Sequence, residues 1–151
     1  MKIYVASSWR CATQPFVVAY LQNAGHDVYD FRNPPNRSGF GWPQVVSDGA
    51  KTPATYLQAI RHPIAIEGFA SDMGALEEAD AVVLVLPCNR SAHLELGYAV
   101  GKDKKTIVLL DDGPKFEPEL MYLMVDHICE ELDEVLQCLA IPPLRKRGEQ
   151  P

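Results

Sequence analysis

Apolar residues recur along the chain at two spacings, one suited to strands and one to helices. KIYVAS (2 to 7) is a short apolar strand that ends in small polar residues. Thr13, Gln14 and Pro15 then open a helix, where proline suits the first turn because its missing N–H has no partner there. Phe16, Val17, Tyr20, Leu21 and Ala24 follow at helical spacing, and Gly25 supplies the stop. HDVYDF (26 to 31) reads as a second strand. A strand–helix–strand unit of this kind implies parallel pairing through a right-handed crossover.

From Arg32 to Pro53 the rhythm breaks into an irregular loop, RNPPNRSGFGWPQ and its continuation. Loops of that length in a domain are uncommon and usually functional or mobile. Helices are expected at about 54 to 61 and 64 to 78, the second carrying Ile64, Phe69, Met73 and Leu76. Ala81 to Leu86 is the clearest strand, apolar on both faces like the centre of a parallel sheet. Ser91 is placed to cap a helix running to about Val100, Gly101 ends it, and TIVLL (106 to 110) is the next strand. After the turn-rich DDGPKFEPE come a short helix near 119 to 124, an edge strand at 126 to 129 and a helix at about 131 to 139.

Alternating strands and helices predict a three-layer α/β fold of the flavodoxin or Rossmann-like kind. Its sheet would be mostly parallel and five-stranded, with helices on both faces. One domain over residues 1–140 and a flexible tail at 141–151 are expected, since 151 residues suffice for one continuous core. Ligands in such sheets bind outside the carboxyl ends of the strands. The segments gathered there are SSWRC, DFRNPPNRSGFGW, PCNRS and DDGPKF, with Arg10, Arg32, Arg37 and Arg90 in or beside them.

That local positive rim contrasts with a net charge of -6, which argues against a nucleic-acid polymer as partner. Cys11, Cys88, Cys129 and Cys138 are widely spaced without a CxxC pair, so neither a disulfide framework nor a zinc pattern is present. No run approaches the roughly 18 apolar residues of a membrane span. A soluble, cytoplasmic protein is expected.

Glu95 is the first candidate for chemistry. In the helix after the central strand, Ala92, Leu96 and Ala99 define the face toward the sheet, and Glu95 borders it. Helical side chains lean toward the helix N-terminus, hence toward the ligand edge. A boundary glutamate paired with an arginine, or favoured by the helix N-terminus, is the alternative. Asp72 lies among Gly68, Ser71 and Gly74, one turn before the acids Glu77, Glu78 and Asp80; taken alone it reads as solvated. The ring of Tyr4 fills core, and its hydroxyl would need a partner. Trp9, Phe40 and Trp42 lie on loops, where aromatics either stack on a planar base or cover core. His93 reads as a first-turn surface histidine, with no GxSxG elbow around it. P-loop, GxGxxG and HExxH motifs are absent, and Asp111, Asp112 and Gly113 read as a turn rather than a metal site, so no metal or cofactor is expected.

With these residues in place, the chain resembles the nucleoside 2-deoxyribosyltransferase family, including the related 2'-deoxynucleoside 5'-phosphate N-hydrolases and CMP N-glycosidases. KIYVASSWR, SDMGALEEADAVVLVL and HLELGYAVGKDKKTIVLL match in order, with PELMYLMVDHI a weaker fourth, over about residues 2 to 130. The resemblance implies that Glu95 is the nucleophile and that Asp72 handles the base and its proton. It also implies that Tyr4 orients the nucleophile or contacts the sugar. Attack on C1' would give a glycosyl ester, which a second base or water resolves. Substrate contacts are then expected from Ser7, Trp9, Arg10, Phe40, Trp42, Asn89, Arg90 and Ser91.

Three departures bear on the substrate. Asn89 stands six residues before Glu95, where transferases offer a carboxylate to the 5'-hydroxyl and the monophosphate hydrolases a serine. Arg90 and Ser91 follow beside a helix N-terminus suited to phosphate, with Arg10 on the neighbouring loop. Glu119 stands where transferases tend to offer an amide from a neighbouring subunit. The expected function is transfer of a 2-deoxyribosyl group between bases. The alternatives are hydrolysis of a nucleoside 5'-monophosphate and, in another class, a non-catalytic nucleotide-binding module. The expected partners are a nucleoside or its 5'-monophosphate, a free nucleobase, and further copies of the chain in a homodimer or larger oligomer.

Overall fold

Five strands and five α-helices alternate along a computed structural model that describes residues 1–47, 49–111, 113 and 116–142. They are β1 (Lys2–Ala6), α1 (Gln14–Asn23), β2 (Asp27–Asp30), α2 (Pro53–Ala59), α3 (Pro63–Glu78), β3 (Ala81–Val85), α4 (Arg90–Gly101), β4 (Lys105–Leu109), β5 (His127–Cys129) and α5 (Leu132–Ala140). The sheet order is β2-β1-β3-β4-β5, and the pairings β1–β3, β3–β4 and β4–β5 are parallel. This is the α/β fold the sequence predicts. Asp112 and most of the expected flexible tail (143–151) lie outside the described residues. Among the described residues no helix is long and apolar enough to cross a membrane.

The chain divides into two compact units, residues 1–29 with 78 onward, and Asp30–Glu77. In the first, the strand period of two sorts the core. Ile3, Val5, Val83, Val85, Ile107 and Leu109 close one face against Val17, Val18 and Leu21 of α1 and Val135 and Leu139 of α5. The intervening residues Tyr4, Ala6, Val82, Leu84, Thr106 and Val108 are just as buried and point to the other face, where α4 packs across β1, β3 and β4.

Two boundaries move for a physical reason. β4 begins at Lys105, one residue before the expected start, although a lysine is an unusual core residue. Its buried Nζ donates to the carbonyls of Leu139 and Ile141, at the C-terminal end of α5. There an ammonium meets carbonyls that lack intrahelical partners and the negative end of the helix dipole. At the other end of α5, Glu134 accepts from the backbone N–H groups of Glu130 and Glu131, which holds its carboxyl below the usual glutamate value. The second shift follows α4: Gly101 is its last residue, and the reversal is made by Asp103 at φ 54°.

The Asp30–Glu77 unit contains α2, almost all of α3 and a 3-10 turn, Trp42–Gln44. Thr52 and Thr55 cap α2 reciprocally, each side chain accepting from the other's backbone N–H, and Pro53 fills the first turn. The former loop residues form an aromatic cluster: Trp42 meets Phe40 edge-on at 5.1 Å and Tyr56 at 5.6 Å. Phe40 lies so close to α3 that a Cβ on Gly68 would stand 3.0 Å from it, tighter than an ordinary contact, so a larger residue there would push the ring aside.

Candidate active site

The carboxyl ends of β1 and β3, neighbours in the sheet, are laced together by side chains. Ser7 Oγ donates to the carbonyl of Val85 at 2.8 Å, and the Cys11 thiol to that of Leu86 at 3.4 Å. Ser8 is buried, and its Oγ accepts from Asn89 Nδ2 at 3.2 Å and from the N–H of Arg10 at 3.1 Å. Trp9 and Arg10 stand exposed on this platform. The β3–α4 turn follows, with a cis Leu86–Pro87 bond and a half-buried Cys88.

The expected cap of α4 needs correction. The helix starts at Arg90, so Ser91 is already inside its first turn, and the N-cap position falls to Asn89 in an extended conformation. The Asn89 side chain makes no cap hydrogen bond, because it is turned to Ser8 instead. The α4 N-terminus is therefore left without a side-chain cap, beside the exposed Arg90 and Ser91.

Glu95 lies a turn further along α4, half-buried, while Ala92, Leu96 and Ala99 are buried against the sheet as the spacing predicts. Its charge is felt by Cys88: burial first, then Cys11 and Glu95, push that thiol up to about 12. Cys88 is thus a neutral thiol rather than a nucleophile. Tyr4 is fully buried, on the face of the sheet that α4 covers, with its ring stacked on Tyr29 at 5.2 Å. In the other unit Asp72 is half-buried on α3, and Phe40 and Trp42 are half-buried in their aromatic cluster. Glu77, Glu78 and Asp80 are exposed as expected, with Glu78 paired to Lys2 at 2.7 Å.

No model of a known family and no curated protein matches the chain. Among solved structures, the chain is similar to a 2-deoxyribosyltransferase from the psychrotolerant bacterium Bacillus psychrosaccharolyticus. The match has a TM-score of 0.59 over 96% of this chain and 100% of that one, at 18% identity. The fold is that of a 2-deoxyribosyltransferase. A CMP N-glycosidase of Clostridium botulinum, BcmB, is more distant, with a TM-score of 0.49 and 17% identity over 93% of this chain and 100% of its own.

On this deoxyribosyltransferase fold, α4 also borders a groove that Glu95 does not line. Its volume is about 980 Å³, and Arg90, His93, Leu94, Gly97, Met121 and Tyr122 are among the residues around it. Beside it, Leu94, Leu120 and Leu123 are strongly exposed. Glu119 caps the 3-10 helix Leu120–Met124 by accepting from the N–H of Met121 at 2.9 Å. Sequence reading missed the hydrogen bond between His93 and Tyr122, at 2.9 Å across 29 residues. No local pattern announces such a contact.

Proposed function

We propose that this protein is an N-glycosidic bond-cleaving enzyme of the nucleoside 2-deoxyribosyltransferase family, with Glu95 as its nucleophile. The observation that carries the reading is a half-buried carboxylate on the helix after the central strand, in a chain with the deoxyribosyltransferase fold. The Glu95 carboxylate attacks C1' of the sugar, a C–O bond forms, and the C1'–N bond breaks with its electron pair leaving on the base. Asp72 handles the base and its proton. A second base, or water, then attacks C1' and releases Glu95, so the anomeric configuration is retained. Tyr4, on the α4-facing side of the sheet, orients the nucleophile or contacts the sugar. Ser7, Trp9, Arg10, Phe40 and Trp42 contribute binding. The exposed apolar side chains beside the groove support a homodimer or larger oligomer, as apolar patches rimmed by polar groups mark interaction surfaces.

Transfer of a 2-deoxyribosyl group to another base is the first reading. Hydrolysis of a nucleoside 5'-monophosphate is favoured by one observation: the α4 N-terminus has no side-chain cap and stands beside the exposed Arg90 and Ser91. One chromatographic panel decides between them, using ribo- and deoxynucleosides and their 5'-monophosphates, each with and without an acceptor base. Exchange confined to unphosphorylated deoxynucleosides sinks the phosphate reading. Free sugar phosphate without exchange sinks the transferase reading. Nucleotide binding with no base release under any condition leaves a binding module and defeats both.

A further inference from the structure

The helix that carries Glu95 begins with a turn held at more points than its sequence suggests. His93 Nδ1 lies 3.2 Å from the carbonyl oxygen of Asn89 and 3.4 Å from Cys88 Sγ. Its Nε2 lies 2.9 Å from the hydroxyl of Tyr122, and the two rings are nearly parallel, 5° apart. A carbonyl oxygen only accepts, so the contact with Asn89 is a hydrogen bond when the imidazole carries its proton on Nδ1. Tyr122 is nearly buried, and burial, then Cys88 and Glu119, push its phenol up to about 12, so it keeps an O–H to donate. In the neutral ring, Nε2 is then an acceptor for that O–H. Cys88, also a neutral thiol, adds only a weak third neighbour.

Asn89 is thereby held from both ends. Its carboxamide donates to Ser8 Oγ on the β1 side, and its carbonyl accepts from His93 on the other. We propose that His93, braced by Tyr122 in the neutral Nδ1–H tautomer, is a positioning residue for Asn89 at the substrate's 5' end. This rests on the N-glycosidic reading of the site. His93 itself takes no part in bond cleavage, so it acts on substrate binding rather than on the chemical step.

Two measurements test it. Long-range proton–nitrogen NMR of the imidazole, taken at a pH where the ring is neutral, reads the tautomer without any substrate. The expected result is Nδ1–H in the wild type, with the Nε2 resonance shifted in Tyr122→Phe. A neutral Nε2–H tautomer overturns the proposal. Base-release kinetics supply the second arm. His93→Gln, which lacks a donor at the Nδ1 position, should raise KM about fivefold, the order expected for one lost hydrogen bond, with kcat unchanged within about twofold. His93→Asn, whose amide nitrogen falls near the Nδ1 position, should recover most of that loss. A fall in kcat at constant KM, or equal KM for all three proteins, overturns the positioning role. If the wild type releases no base from any substrate, the N-glycosidic reading fails, while the tautomer still reports on the His93 brace separately.

Discussion

The two faces of the sheet in the unit of residues 1–29 and 78 onward are built to different ends. The face toward α1 and α5 is closed by branched aliphatic residues from three strands and two helices. The face toward α4 is buried as completely, yet it includes Tyr4 and Thr106 and meets Ala92 and Ala99 on the helix that carries Glu95. Small residues let a helix approach a sheet closely, and polar ones need partners. The difference teaches that a sheet face can be buried as completely as its partner and still accommodate polar groups and a half-buried carboxylate at its border.

Glu95→Ala is the sharpest way to separate the faces. On the proposed mechanism it should lower base release by about a thousandfold or more, while the thermal midpoint stays within a few degrees of wild type. Near-normal release by that variant would remove the nucleophile assignment. Val83→Ala, on the closed face, should do the reverse. It deletes buried methyl groups at the centre of the sheet, so denaturant titration should show a loss of about 2 to 4 kcal/mol. Activity per folded molecule should be unchanged. Lys105→Met comes next, because it keeps the buried stem but leaves the Leu139 and Ile141 carbonyls without their cation. A loss of about 1 to 3 kcal/mol is expected by the same titration.

The smallest effect is a pH dependence at the start of α5. Glu134 titrates below its ordinary 4.5 because two backbone N–H groups bind its charged form. Its contribution to stability is therefore fully present above pH 4.5 and is lost as the pH falls through the lower folded value. The gap in thermal midpoint between wild type and Glu134→Gln should close on acidification from pH 5 downward. A gap that is constant with pH would show that the carboxylate's charge plays no part in the cap.

What the sequence made legible follows from which signals are local. AVVLV announces a central strand because every residue is apolar, and the Ala92, Leu96 and Ala99 spacing places Glu95 at a boundary. Lys105 falls outside the strand that the apolar pattern predicts because its partners, the carbonyls of Leu139 and Ile141, are more than thirty residues away. Local sequence does not separate Ser91 from Asn89 as the α4 cap, because serine and asparagine are comparable caps. What local sequence does not show is Ser8, 81 residues upstream, which draws the Asn89 side chain aside and leaves the helix start without a side-chain cap. The irregular stretch after Arg32 hides its order for the same reason: Trp42 touches Tyr56, and Phe40 packs closely on Gly68. In the candidate site, the roles proposed for Glu95, Tyr4 and Asp72 come from the family resemblance, whereas the His93–Tyr122 contact leaves no trace in local spacing.

The bond between Ser8 and Asn89 also sets a rule for anyone who would re-engineer this scaffold. The two loops it joins lie far apart in the chain and side by side in the sheet, so they form one movable part with two pieces. A segment from another protein of this fold, grafted at 87–91 alone, would arrive without its mate at 7–10. The transplant has to carry both.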